Sequence, residues 1–176
     1  MRQNIREWIK AVGAAVAMAV IIIQFVIPTT VYGVSMEPNF KPNDYLLVNR
    51  LAYDDHRKPE RGDVVVFSSH LKDKNGEDKM LIKRVVGLPG ETVEVRDGMV
   101  YINGEVLEED YTKDGITNGE VAPVIIPEND YFCLGDNRLH STDSRFMEVG
   151  LVDAEDLVGQ VIFRLYPFNK IGVIGD

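Results

Sequence analysis

The sequence predicts a mainly β fold of antiparallel sheets, preceded by one N-terminal transmembrane helix. Three observations carry that reading. Residues 11–27 (AVGAAVAMAVIIIQFVI) run without a charge, and about 17–25 apolar residues cross a bilayer as a helix. After Pro28 the helical period stops, and short runs rich in Val, Ile, Tyr and Phe alternate with Gly, Pro, Asn and Asp, the pattern of strands joined by turns. Asp97-Gly98 between two such runs is a strong signal for a tight hairpin.

The elements follow in order. Residues 1–10 form a basic tail, with Arg2, Arg6 and Lys10 against Glu7. Trp8 suits a membrane interface and Lys10 can reach back to it. Residues 11–27 are the expected anchor. A cleaved secretory leader also begins with a basic stretch and an apolar run, but its apolar part is shorter and ends in small residues. Here the run ends in Ile27-Pro28-Thr29-Thr30-Val31-Tyr32, which favours an anchor that stays. Positive charge before the span and none after it until Lys41 leaves the N terminus in the cytoplasm. Residues 28–176 are then an extracytoplasmic β domain, and the chain is a single-pass protein of the cell membrane.

Within that domain the expected strands are Tyr45–Asn49, Val64–Ser68, Met80–Val86, Thr92–Arg96, Met99–Ile102, Tyr131–Leu134 and Val158–Leu165. Their spacing suits two packed sheets or a barrel. Asn103-Gly104 marks a second turn. Lys72–Lys79 (KDKNGEDK) reads as a solvated hairpin tip, and Glu105–Glu120 as an acidic surface loop or flap. Neither suggests chemistry on its own.

Composition removes several function classes. The chain has 176 residues and a net charge of -9, against the clustered Lys and Arg that bind phosphate backbones, so no nucleic-acid partner is expected. His56, His70 and His140 lack metal-ligand spacing, and no metal or other cofactor is called for. Cys133, alone in the run Tyr131-Phe132-Cys133-Leu134, has no partner for an internal disulfide and reads as a small core residue.

Three segments could do chemistry. In Gly33-Val34-Ser35-Met36-Glu37-Pro38 a serine sits in a turn constrained by Gly and Pro, which fixes its hydroxyl and its N–H. Taken alone, such a serine is better explained as a cap or turn residue. A serine nucleophile needs a base, and no histidine is placed for it; a lysine is the other option. In Met80–Gly90 (MLIKRVVGLPG) a two-residue period puts Lys83 on the face of Leu81 and Val85, with Arg84 opposite. An ammonium among apolar neighbours loses pKa, by up to about 3–5 units when buried. An edge lysine that discourages strand pairing would give the same pattern. The third segment, Leu134–Arg145 (LGDNRLHSTDSR), follows a strand and crowds polar groups that need partners if buried; a solvated loop is its plainer reading.

Taken together, these segments resemble the bacterial type I signal peptidases. The matching boxes are Ser35-Met36-Glu37-Pro38, Arg61–Phe67 (RGDVVVF), Lys83–Glu91 (KRVVGLPGE) and Gly135-Asp136-Asn137-Arg138 through Ser141, Asp143 and Arg145. Their order, spacing and preceding anchor match as well, out to about residue 168. One span and a short chain resemble the compact form of Gram-positive bacteria.

The resemblance implies a Ser/Lys endopeptidase that removes N-terminal signal peptides from exported preproteins after small residues, with the fold of that family. Ser35 would be the nucleophile and Lys83 the general base. Ser141 would orient the lysine amine, Asp143 and Arg145 would form an ion pair behind the site, and Asp136 would support Arg145. Val31, Met36, Phe40, Leu81 and Ile82 are candidates for the substrate pockets, or plain core residues. Some members carry a serine two positions before the nucleophile to bind the oxyanion; Gly33 stands there, which leaves the second donor open. The expected partners are preprotein signal peptides and the lipid bilayer. Ser35 follows Ile27 by a reach of at most about 29 Å, so the site stays near the membrane. Two other classes compete: a self-cleaving Ser/Lys repressor, which would need a DNA-binding N-terminal domain, and a non-catalytic, membrane-anchored β scaffold or partner subunit.

Overall fold

The structure, a computed structural model of the chain, describes residues 2–54 and 56–174, without the side chains of residues 2–6 and 19–24. It begins with helix α1 (Arg2–Phe25). Twelve strands follow: β1 (Val26–Thr30), β2 (Tyr45–Asn49), β3 (Val64–Lys72), β4 (Asp78–Gly87), β5 (Thr92–Arg96), β6 (Met99–Ile102), β7 (Glu105–Val106), β8 (Val121–Ile125), β9 (Asp130–Leu134), β10 (Val152–Asp153), β11 (Leu157–Tyr166) and β12 (Gly172–Val173). All the strand runs read from the sequence are present, several extended by a few residues. β1, β7, β8, β10 and β12 have no such signal: β7, β10 and β12 are only two residues each, and β1 and β8 each contain a proline.

Eight strands make one sheet in the order β1-β2-β11-β3-β4-β9-β10, with β12 beside β11; β7-β6-β5-β8 make the second. The pairings are antiparallel throughout. At the β5–β6 turn Asp97 and Gly98 both have positive φ, 52° and 77°, as a two-residue hairpin of this twist demands. The Asn103-Gly104 pair repeats the geometry between β6 and β7. Residues 73–77 form the tip of the long β3–β4 hairpin.

The anchor expected over 11–27 differs in its bounds. The helix starts at Arg2, and Val26 and Ile27 belong to β1, paired with Asn49 and Val48. Among the described residues no helix is long and apolar enough to cross a membrane. The charged residues of the tail fall inside the helix, β1 takes its last two apolar positions, and the side chains of 19–24, on which the expectation also rests, lie outside the described residues.

The core explains why the central strands read as continuous apolar runs. Val64 and Val66 of β3 point into one cluster with Met36, Phe40, Leu46 and Val48, while Val65 and Phe67 point into another with Leu81, Val85, Tyr131 and Cys133. A strand covered on both faces has no polar side to show. β9 alternates likewise, sending Phe132 and Leu134 toward a third cluster with Val93, Val95 and Ile126, which joins the two sheets. Cys133 is fully buried, and burial pushes its thiol pKa up, so it is a core residue.

Candidate active site

Ser35 lies in the turn between β1 and β2, fastened from below and from one side. The N–H of Val31 donates to Asp44 O at 2.9 Å and that of Glu37 to Val34 O at 3.1 Å, while Phe40 N–H donates to Met36 O at 2.8 Å. Met36 and Phe40 are buried in the first core cluster and pin the turn to it. From the other side Asn137 holds two consecutive carbonyls: its N–H donates to Ser35 O at 2.9 Å and its Nδ2 to Val34 O at 3.0 Å. Among the described hydrogen bonds the N–H of Ser35 has no partner, so it is free for a ligand oxygen.

Lys83 comes from β4. The alternation predicted for this strand is present: Leu81, Lys83 and Val85 are buried, with Ile82 and Arg84 less so. The Lys83 side chain reaches Ser35, and Nζ donates to Oγ at 2.7 Å. Burial pulls the Lys83 pKa down to about 8, opposed by the carboxylate of Asp143 and, more weakly, that of Asp136. An amine at that pKa has a sizeable neutral fraction near neutrality, which a base requires.

The segment after β9 frames the pair. Asp143 accepts from Gly135 N–H at 3.0 Å and from Arg145 Nε and Nη2 at 2.8 Å each, so the ion pair expected between Asp143 and Arg145 is formed. Arg145 Nη2 also donates to Arg138 O at 2.9 Å. Asp136 corrects the expectation: among the described residues its carboxylate makes no hydrogen bond or ion pair with Arg145. Its two oxygens accept from Arg84 Nε at 2.9 Å and Nη2 at 2.8 Å, and Asn39 Nδ2 adds a bond at 2.8 Å. The reason lies in strand alternation, since Arg84 emerges on the face opposite Lys83 and meets Asp136 where β4 pairs with β9 at Leu134. Ser141 makes no hydrogen bond to Lys83 among the described residues. Its Oγ is buried with no hydrogen-bond partner among the described residues, and Lys83 Nζ bonds to Ser35. Ser141 nonetheless sits beside the nucleophile's turn, because a side chain at Gly135 would meet both Ser141 Cβ and the Ser35 carbonyl oxygen at 2.6 Å.

A groove of about 710 Å³ opens over Ser35 and Lys83. Val31, Met36, Leu81 and Ile82, four of the five pocket candidates, line it. Phe40 does not; it is packed into the first core cluster. Along one wall β4 pairs with β3 from Asp78 onward, but with β9 only from Arg84. Residues 78–83 thus leave one backbone edge unpaired among the described residues, facing the groove that they line. Thr29 and Thr30 of β1 also line the groove.

Sequence reasoning missed Asn137, Asn39, Arg84 and Glu109. Asn137 stood in a box noticed for its crowded polar groups, and the rule that buried polar atoms need partners was the available signal. Glu109, which pairs with Arg138 at 2.5 Å, gave none, since its acidic neighbourhood reads as solvated loop.

Comparison with known proteins gives one consistent result. The family model described as signal peptidase, peptidase S26, matches residues 5–166. A signal peptidase I of Leptolyngbya laminosa is 38% identical over 173 residues, covering 96% of this chain and 83% of that protein. Signal peptidase I S of Bacillus subtilis is 36% identical over 181 residues, with 97% and 94% covered. A crystal structure of a signal peptidase I from Enterococcus faecalis shares 35% identity with a TM-score of 0.49, over 60% of this chain and 97% of that one.

Proposed function

Because this chain belongs to the signal peptidase family, peptidase S26, we propose that Ser35 and Lys83 are the dyad with which it cuts signal peptides from preproteins. The chain is a serine endopeptidase of the signal peptidase I type, which leaves the scaffold reading without support. The observation that carries the residue assignment is the 2.7 Å contact between Lys83 Nζ and Ser35 Oγ, made by a lysine whose burial favours the neutral amine.

The reaction runs in two halves. Neutral Lys83 takes the Ser35 proton as Oγ bonds to the carbonyl carbon of the scissile peptide. The oxyanion accepts from the free N–H of Ser35, and a preorganised donor of this kind is worth about 2.7–4 kcal/mol. Collapse breaks the C–N bond, and the Lys83 ammonium returns its proton to the leaving amine. Lys83 then deprotonates a water that attacks the acyl ester and frees Ser35. Asn137, through Val34 O and Ser35 O, fixes the direction of the nucleophile's backbone. The unpartnered Ser141 hydroxyl is free to steady the Lys83 amine, and Asp143 with Arg145 holds the segment that carries it.

The unpaired edge of residues 78–83 suits an extended substrate added as a further strand. Alternate side chains of that strand would face Ile82, Val31 and Met36, which pack together on one side of β4, in shallow apolar space that favours small residues such as those of an Ala-x-Ala site. The test is the pH dependence of cleavage of such a preprotein. The base works unprotonated, so kcat/KM will rise with pH through an acid limb centred about pH 8 and level off above it. A limb near pH 6, where a histidine titrates, would remove Lys83 from the role.

The N-terminal helix is the membrane anchor in this reading, with residues 28–176 outside the cytoplasm. In support, Trp8, Ile9, Val12, Val16 and Met18 are exposed on it, and its 24 residues extend about 36 Å. The full chain will stay with membranes through alkaline carbonate extraction, and external protease will digest residues 28–176 in cells stripped of their wall. Release of the chain by carbonate would end the anchor reading.

A further inference from the structure

The acidic loop after β7 is strapped to the back of the active site by buried charge. The Arg138 side chain is 1% exposed and that of Glu109 8%. Arg138 Nε donates to Gly135 O at 2.9 Å, while Nη1 and Nη2 grip the two oxygens of Glu109 at 2.7 Å and 2.5 Å, and the Thr117 hydroxyl accepts from Nη1 as well. A two-pronged pair of this kind fixes direction, and a buried guanidinium deprived of its partner is strongly unfavourable. Glu109 is held in turn by the Tyr111 hydroxyl, which donates at 2.6 Å. Burial and the adjacent Glu109 carboxylate push the Tyr111 pKa up, so the phenol stays a donor. The Tyr111 ring lies 4.3 Å from the Arg84 guanidinium, its carbonyl accepts from Asn39 at 2.7 Å, and Lys113 N–H donates to Asp136 O at 3.0 Å. The loop therefore grips Asp136, Gly135 and Arg138, the residues flanking Asn137, which holds the Ser35 backbone. None of residues 105–120 lines the groove.

We propose that Glu109 is a positioning residue for the nucleophile, acting through Arg138 on the Gly135–Asn137 turn that fixes the Ser35 carbonyl. The proposal rests on the Ser35–Lys83 reading. Loss of Glu109 would leave Arg138 to seek another carboxylate, drawing Gly135 and Asn137 with it and moving Ser35 relative to Lys83. Displacements of about 1 Å, made far from the reacting atoms, can slow a reaction about 100-fold.

The experiment is steady-state cleavage of an Ala-x-Ala preprotein by the full chain in detergent, comparing wild type, E109Q, R138Q, the double variant and Y111F, each with its melting temperature. E109Q is expected to lose roughly 10- to 100-fold in kcat, with KM within about twofold because no residue of the loop lines the groove. The double variant will be no slower than the slower single, since Glu109 acts only through Arg138. Y111F, which removes one hydroxyl and retains the ring, will show a smaller loss, again in kcat alone, and covers the case in which E109Q does not fold. An E109Q or Y111F enzyme with unaltered kcat overturns the proposal. So does a loss confined to KM, or losses that multiply in the double variant. A wild-type chain that cuts no preprotein overturns the peptidase reading beneath it instead.

Discussion

Replacing Lys83 with methionine will abolish preprotein cleavage while making the protein more stable at neutral pH. The activity loss follows from the 2.7 Å contact to Ser35 Oγ: with no amine the hydroxyl keeps its proton, and removal of a member of such a catalytic set costs at least about 10⁴-fold in kcat. Ser35→Ala will lose activity to a similar extent, and the double variant will be no worse, because the two act as a unit. The stability change has the opposite sign. The folded pKa is pulled down to about 8, below the unfolded value of about 10.4, so the unfolded chain binds more protons between those two pH values. Folding therefore bears the full cost of neutralising or burying the ammonium below pH 8, and that cost vanishes as pH rises toward 10.4. Methionine fills similar space without a charge. Allowing for the lost bond to Ser35, the gain at pH 7 is about 1–3 kcal/mol, shrinking as pH rises. Denaturant melts of both proteins at pH 7 and pH 10 measure it directly. Retained cleavage by the methionine variant would remove Lys83 from the mechanism; a loss of stability would mean that the lysine is charged and well partnered in the folded protein.

Gly135→Ala will disable the site by crowding rather than by removing a functional group. A Cβ at this position would lie 2.6 Å from both Ser141 Cβ and the carbonyl oxygen of Ser35, well inside van der Waals contact. Gly135 does not have the positive φ that many turn glycines in this chain show, so the constraint is space alone. The neighbours that must give way are the nucleophile's own backbone and a serine in the segment held by Asp143 and Arg145, neither of which is a flexible end. Overpacking of this kind costs about 1–3 kcal/mol of stability, and a shift of Ser35 away from Lys83 adds up to about 100-fold in kcat. Thermal unfolding and single-turnover cleavage measured together separate the two effects. A variant with wild-type turnover would mean that the Gly135 turn can relax without moving Ser35.

Much of the domain was legible because its signals are local. The strand runs and the Asp97-Gly98 hairpin follow from side-chain period and backbone preference within a few residues. Lys83 was placed on a buried face by two-residue alternation alone, and the structure agrees. The strands without a signal are short or proline-bearing, and their pairing is decided by partners elsewhere in the chain. The anchor shows the limit of composition: an uncharged run says where a helix can lie, but β2 and β1 decide between them that Val26 and Ile27 belong to the sheet.

Local pattern was enough to specify an antiparallel β domain with a serine in a tight turn, a lysine on an apolar strand face and a box of polar residues after a later strand. How those polar residues are shared out depends on the folded chain. Asp136 pairs with Arg84 rather than Arg145, Glu109 comes from an acidic loop to meet Arg138, and Ser141 keeps a free hydroxyl. The physical reason is the range of the forces. Periodicity and turn preference act over a few neighbours and are written along the chain. Which carboxylate meets which buried guanidinium depends on register and loop path over separations of 29 to 52 residues, and several pairings satisfy the same rule that no buried charge stands alone.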